Sequence, residues 1–274
     1  MFLGDFHVHS TFSDGKRSIP ELVDLYGSLG FGALAITDHL CEQSTWLGQA
    51  ARQLQHTLTQ ANFPLYIEIL RSERVRAWRE YGMVLISGFE LTKNSVRNSR
   101  SAHIVALGVE EWIDADCDVV DLCAAIRAQG GLSIAAHPVS TRKIEKQTFH
   151  LWDRREQLRG SFDAWEVASG PHLFSEVLCE NLPKIASSDL HHPRQIRSWK
   201  TQFTCTREQK SIFESIRRQE ITFRFFDPLH LKPKERRDGL RHWLDPHGLD
   251  RITYSFNPRH LGRVTETPKT STSS

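Results

Sequence analysis

Asp5-Phe6-His7-Val8-His9-Ser10-Thr11-Phe12-Ser13-Asp14-Gly15 decides how the rest of the chain is read. Phe2, Leu3, Phe6 and Val8 predict a buried strand that runs into a polar turn closed by Asp14-Gly15. Strand side chains alternate faces, so residues two apart share one, with about 6.5 to 7 Å between their Cα atoms. His7 and His9 therefore reach one ion together. A lone His-x-His is more often a strand cap beside a solvated ring, and clusters farther along the chain reverse that reading.

Those clusters are Thr37-Asp38-His39, Gly88-Phe89-Glu90 with His103, Ala136-His137-Pro138, and Ser187-Ser188-Asp189-Leu190-His191-His192. Each follows a short apolar, β-prone run, at 33–36, 84–86, 132–136 and 185–186, whereas His103 opens the run 104–107. A chain that repeatedly sets His, Asp or Glu at one end of successive strands assembles a polynuclear metal centre at the mouth of a barrel. Each cluster is weak by itself; the ordered set is strong.

Length and composition agree with one barrel. A chain of 274 residues with 39% hydrophobic content can bury a single large core. The first residues enter a strand with no basic-then-apolar leader, and no apolar run is long enough to span a bilayer, so no membrane association and a cytoplasmic location are expected. The five cysteines are scattered without a Cys-x-x-Cys pair. Buried, reduced thiols are expected rather than a disulfide framework or a thiolate zinc site. The net charge of +2 is carried by residues 227–274, which hold nine Lys and Arg against six Asp and Glu. The barrel is therefore no basic nucleic-acid platform.

Helices are predicted at 19–29, with Ser18 as N-cap and Pro20 in the first turn, at 119–129 ahead of Gly130-Gly131, at 171–180 and at 208–219. Strands are predicted at 33–37, 83–87, 102–108, 132–136, 162–167 and 185–187, and an extended apolar segment at 221–226. Residues 41–82 are too long for an ordinary loop. Helices at 49–58 and 66–81, separated by Pro64, make this stretch a helical insertion that leaves from the His39 end of its strand. It is expected to cover the site as a lid, with Trp46 or several arginines, or to pack outside the barrel. Arg142 and Lys143, leaving beside His137, and Arg194, close after His191, are the candidates for holding a substrate phosphate. Residues 227–264 are expected to pack on the barrel as an extension, and 265–274 to form a flexible tail.

On these pieces the sequence resembles the PHP (polymerase and histidinol phosphatase) superfamily of metal-dependent phosphoesterases. The matching residues, His7-Val8-His9-Ser10 with Ser13-Asp14-Gly15, Thr37-Asp38-His39, Glu90, His103, Ala136-His137-Pro138 and Ser188-Asp189-Leu190-His191, follow the family's order over 1–226. The resemblance implies a distorted (β/α)7 TIM-like barrel, with a helical insertion after the second strand, holding two to three divalent ions. By resemblance one ion takes His7, His9, Glu90 and Asp189, a second shares Glu90 and takes His103 and His137, and a third takes Asp14, His39 and His191. Imidazole and carboxylate ligands suit Zn, Mn or Fe. Asp38 is expected to orient an imidazole, and His192 to stand outside the ligand shell or, alternatively, to pass a proton to the leaving group.

Three such ions with these carboxylates and one bridging hydroxide leave a centre of about +2, attractive to a phosphate monoester dianion. A hydroxide held between ions beside Glu90 and Asp189 is the expected nucleophile, since metal lowers the pKa of bound water toward about 7. Hydrolysis of a small phosphomonoester or nucleotide is the leading expectation. The alternatives are an exonuclease acting on DNA or RNA ends, and a non-catalytic metal-binding regulatory domain.

Overall fold

The apolar runs become short strands, placed by a computed structural model that describes residues 1–44, 49, 56–93, 102–139, 150–228 and 255–256. They are β1 (Phe2–Asp5), β2 (Ala33–Ile36), β3 (His39–Cys41), β4 (Val84–Lys93), β5 (Ala102–Leu107), β6 (Leu132–Ala135), β7 (Ala164–Ser169), β8 (His172–Leu173), β9 (Lys184–Ser187), β10 (Ser198–Phe203), β11 (Ile221–Phe226) and β12 (Ser255–Phe256). Hydrogen bonding runs β12-β11-β10-β1-β2-β4-β5-β6-β7-β8, with β3 on β4 and β9 on β7. The pairs β1/β2, β2/β4, β6/β7 and β7/β9 are parallel. Beyond the ends of β1 and β9, a parallel bridge joins Val8 to Leu190, with His9 N donating to Leu190 O at 2.8 Å. Seven strands thus curl into a distorted (β/α)7 TIM-like barrel whose site end is drawn together by this bridge.

The distortion has an identifiable source. β5 runs antiparallel to both β4 and β6, which breaks the all-parallel order of a regular barrel at this point. Gly88 permits the close approach of β4 and β5, because a Cβ there would lie 2.4 Å from Ala106 O. β4 extends well past the expected 83–87, so Glu90 lies within a strand rather than after one.

The helices flank the sheet. α1 (Ile19–Ser28) begins in a capping box between Ser18 and Glu21, with Pro20 in its first turn. α2 (Phe63–Tyr81) packs against α1 and β4, and its Tyr66 hydroxyl donates to Gly88 O at 2.7 Å. Pro64 belongs to its first turn and does not interrupt it, because the N–H that proline lacks has no intrahelical partner there. Residues 56–58 are not helical, and Leu58 N–H bonds His39 O at 2.7 Å. Trp46 and 50–55 lie outside the described residues.

α3 (Val119–Ala128) leads into β6, followed by the short helices α4 (His150–Asp153), α5 (Arg155–Leu158) and α6 (Ser175–Cys179), and by α7 (Gln209–Arg217) before β11. The expected helix at 171–180 is shorter than predicted because His172 and Leu173 pair with β7. Among the described residues no helix is long and apolar enough to cross a membrane. All five cysteines are free, but Cys117 and Cys179 are exposed, contrary to the expectation of burial. Of the C-terminal extension and tail, only Asp227, Pro228 and the β12 pairing of Phe256 with Phe223 fall within the described residues.

β10, absent from the sequence reading, adds an antiparallel ribbon with β11 to the edge of β1. Phe203 stacks on Phe2 at 5.3 Å and meets the edge of Phe6. From the same strand Lys200 reaches inward and pairs with Asp5 at 2.8 Å, both side chains fully buried. Asp5 also accepts from Tyr26 Oη at 2.6 Å, Ser188 Oγ at 2.6 Å and Ser188 N at 2.9 Å, so its charge is compensated on every side. Removing one partner of a buried pair leaves an uncompensated charge. Lys200→Met should therefore lower unfolding stability by about 3 to 5 kcal/mol in denaturant titrations, whereas an exposed lysine would cost almost nothing.

Candidate metal centre

The strand ends deliver nine side chains to one place. His7 and His9 follow β1, Asp14 lies in the turn beyond them, and His39 opens β3. His39 is in register with Glu90 on β4, and His103 with Thr92 across the β4/β5 pair. His137 follows β6, while Asp189 and His191 follow β9. These residues form four overlapping groups whose ligand atoms lie within 4.8 Å of one another: His9, Asp14, His39 and His191; His7, His137 and Asp189; His7, His9 and Glu90; and Glu90, His103 and His137. The nine are the same residues singled out from the sequence. The grouping differs from the expected one in joining His9 to the Asp14 group and Asp189 to His137.

Glu90 is the centre of the arrangement. It is fully buried, with His39 Nδ1 at 2.7 Å and His103 Nδ1 at 3.0 Å, and the Nε2 atoms of His7, His137 and His9 at 3.4, 3.4 and 3.8 Å. Asp189 Oδ1 lies 3.3 Å from His9 Nε2 and 3.5 Å from His7 Nε2. Asp14 Oδ1 faces His191 Nε2 at 3.2 Å. The rings of His9 and His191 stack with centroids 4.0 Å apart. Two of the three described non-glycine residues with positive φ belong to this set, His137 at 27° and Asp189 at 52°. Such backbone conformations persist where surrounding contacts hold them.

The holding contacts are specific. Asp38 accepts from Ser10 N at 2.7 Å, Ser10 Oγ at 2.6 Å and Ser13 Oγ at 2.6 Å. Both its oxygens are thus engaged with the turn that carries Asp14, and it braces that turn instead of orienting an imidazole as expected. Gly15 closes the turn because a Cβ there would lie 2.2 Å from His9 O. Ser188, tied through N and Oγ to Asp5, fixes the chain just before Asp189.

Glu166 on β7 was not singled out in the sequence. It is buried, accepts from His7 Nδ1 at 2.9 Å and accepts the His137 backbone N–H at 2.6 Å. The available signal was a lone acid within the apolar run Ala164-Trp165-Glu166-Val167-Ala168.

His192 is exposed, and its Nδ1 accepts from Arg194 N at 3.2 Å, which caps the 3-10 turn Pro193–Ile196. Arg194 is exposed on that turn. Arg142 and Lys143 lie outside the described residues. Cys41, the thiol nearest His39 in sequence, belongs to none of the four groups.

Charges held this close shift one another. Burial alone would lower His7, but Glu166, Asp189 and Glu90 raise it well above its ordinary value. His39 and His137 are raised against the same burial penalty, chiefly by Glu90. Burial also opposes His191, yet its bond to Asp14 and the charge of Asp189 raise it to about 9. His9 is the exception, lowered to about 3 by burial and the neighbouring His39. Burial would raise Glu90 and Asp189, but the imidazoles hold both well below the usual carboxylate range. The site therefore calls for positive charge among carboxylates. His7 Nε2 tests whether an ion fits. It is buried, makes no hydrogen bond among the described residues, and faces Glu90 and Asp189 at 3.4 and 3.5 Å while Nδ1 is engaged by Glu166. With Nδ1 engaged by Glu166, Nε2 must carry a cation, a proton or a metal ion, toward these anionic oxygens, and a divalent cation satisfies the arrangement.

Comparison with known proteins follows the same lines. Residues 5–135 match the family model of the PHP domain. Over 108 residues the chain is 30% identical to the phosphoribosyl 1,2-cyclic phosphate 1,2-diphosphodiesterase of Eggerthella lenta, a match covering 39% of this chain and 31% of that protein. Its fold resembles the crystal structure of a two-domain protein containing a predicted PHP-like metal-dependent phosphoesterase from Bacteroides vulgatus. The TM-score is 0.61 at 22% identity, over 81% of this chain and 64% of that one. The chain thus spans under a third of the curated relative and under two thirds of the solved protein.

The shifts set the sign of the pH response of the metal-free protein. A raised imidazole stabilises the fold below its unfolded value of about 6.5, and that contribution is lost as pH rises through the folded value, about 9 for His191. His9, lowered to about 3, acts oppositely and costs stability as pH falls below about 6.5. Thermal denaturation of the chelator-treated protein should give a melting temperature that falls between pH 6.5 and 9, a loss that His191→Gln reduces.

Proposed function

We propose that this chain, a PHP-domain protein, hydrolyses a small phosphate ester with divalent ions held by His7, His9, Asp14, His39, Glu90, His103, His137, Asp189 and His191. The observation that carries the reading is the convergence of these side chains, far apart in sequence, into overlapping groups at ligand spacing. Glu90 is the natural bridging carboxylate, since its two oxygens face imidazoles of different groups. The four groups fit two to three ions, and Zn, Mn and Fe all suit donors of this type. Bound there, divalent ions lower the pKa of water toward about 7 and offset the charge of a phosphoryl group.

The chain's own residues have distinct tasks in this reading. Asp38, Ser10, Ser13 and Gly15 hold Asp14 toward His39 and His191. Asp5 and Ser188 aim Asp189. Burial of Glu90 and the surrounding imidazoles excludes competing water, which strengthens the hold of these ligands on the ions. Arg194, and Arg142 and Lys143 beyond the described residues, remain the candidates for gripping its phosphate. A small phosphorylated substrate is favoured over nucleic acid. The curated relative is named for a phosphoribosyl cyclic phosphate, and residues 1–226 have no excess of basic charge.

The test is phosphate release by the metal-loaded protein from sugar phosphates, nucleotides, cyclic phosphodiesters after phosphatase coupling, and short oligonucleotides. Turnover of a small ester is expected. Preference for oligonucleotides would replace this reading with a nuclease, and metal binding without any turnover would replace it with a regulatory domain. Replacing His7 and His9 together by Ala should remove metal and lower turnover by about 100-fold or more, the equivalent of several kcal/mol of lost charge stabilisation. The circular dichroism of the fold should remain.

A further inference from the structure

Glu166 stands behind the proposed ligands and touches two of them in different ways. Its Oε1 accepts from a ring nitrogen, His7 Nδ1 at 2.9 Å, and its Oε2 accepts from a main-chain nitrogen, His137 N at 2.6 Å. His7 and His137 belong to one of the four groups, shared with Asp189, and their rings lie nearly parallel with centroids 5.6 Å apart. Glu166 itself has no accessible surface. It sits beside an irregularity in the pairing of β7 with β9, where the register slips between Glu166 and Ala168. Such a bulge re-aims side chains beside functional sites.

We infer that Glu166 is a positioning residue that selects the metal-binding tautomer of His7 and locks the backbone of His137. This inference rests on the metal-site reading above. A neutral imidazole carries one hydrogen; with a carboxylate at Nδ1 the hydrogen stays there, and Nε2 keeps the lone pair that faces Glu90 and Asp189. The second oxygen holds His137, whose φ of 27° is one that residues with a Cβ rarely adopt. The two donors require two acceptors. A glutamine has one acceptor and one NH2 group, so at 166 it must either face the His137 N–H with its own N–H or present N–H to His7. The latter draws the His7 lone pair to Nδ1 and turns its hydrogen toward the ion. Aspartate keeps both acceptors but retracts them by one methylene.

The experiment measures zinc affinity of the purified full chain by competition with a chromophoric chelator, with melting of the metal-free proteins measured alongside. In Glu166→Gln at least one zinc equivalent should bind about 10- to 100-fold more weakly, the usual effect of losing an outer partner of a ligating histidine. Glu166→Asp should fall between Gln and wild type. Unchanged zinc affinity in the Gln variant, with or without a lower melting temperature, would overturn the inference by making Glu166 purely structural. Wild-type protein that binds no zinc would instead remove the metal-site reading itself. Turnover does not enter the comparison, so an inactive but zinc-binding wild type leaves this inference standing. Should the Gln variant not fold, nitrogen-15 spectra of histidine in the zinc-loaded wild type decide. His7 bound through Nε2 with hydrogen on Nδ1 supports the inference, and His7 bound through Nδ1 overturns it.

Discussion

A carboxylate removed from water must be met by polar or positively charged groups, and five imidazoles lie within 3.8 Å of the Glu90 oxygens. That constraint organises the site end of the barrel. Asp189 and Asp14 repeat it on either side, and each histidine drawn in to neutralise a carboxylate brings a second ring nitrogen that must also be satisfied. For His7 the outer nitrogen is met by Glu166, while the inner one is left facing anionic oxygens. Protons can supply the missing charge, as the raised values of His7, His39, His137 and His191 indicate. Divalent ions supply it by taking the lone pairs that protons would otherwise occupy, and the ligand spacing of the four groups suits them.

The fold serves this constraint by bringing strand ends together. The Val8–Leu190 bridge joins segments 182 positions apart and puts the His7-His9 pair beside Asp189 and His191. Below it, Asp5 and Lys200 form a second buried charge system that meets the first through Ser188. The strained backbone of Asp189 is thus held from beneath, and that of His137 from the side by Glu166.

Much of this was legible in the sequence because each ligand candidate sits where an apolar run stops. His39, His137 and Asp189 follow short β-prone segments, so their placement at a common end needs only the periodicity of strands. Glu166 was not legible for the opposite reason: it lies inside its apolar run, and nothing local distinguishes a buried acid from a solvated one. Lys200 was hidden likewise, since Ser198–Phe203 carries Lys, Thr and Gln that read as loop, and its partner Asp5 is 195 positions away. The partners of Asp38 are not legible from its place beside His39, because both its oxygens accept from Ser10 and Ser13, 25 or more positions earlier. Helix α2 begins at Phe63, ahead of the expected 66, because a first turn tolerates Pro64, a matter of register that composition does not reveal.

The central claim is that these nine side chains enclose divalent cations. X-ray diffraction from crystals grown with zinc or manganese, recorded on both sides of the metal's absorption edge, tests it most directly. Anomalous peaks should lie between Glu90, Asp189 and the Nε2 atoms of His7 and His9, with further density beside Asp14 or His103. Crystals saturated with metal that gave no anomalous density among these residues, with protons alone balancing the carboxylates, would contradict the account.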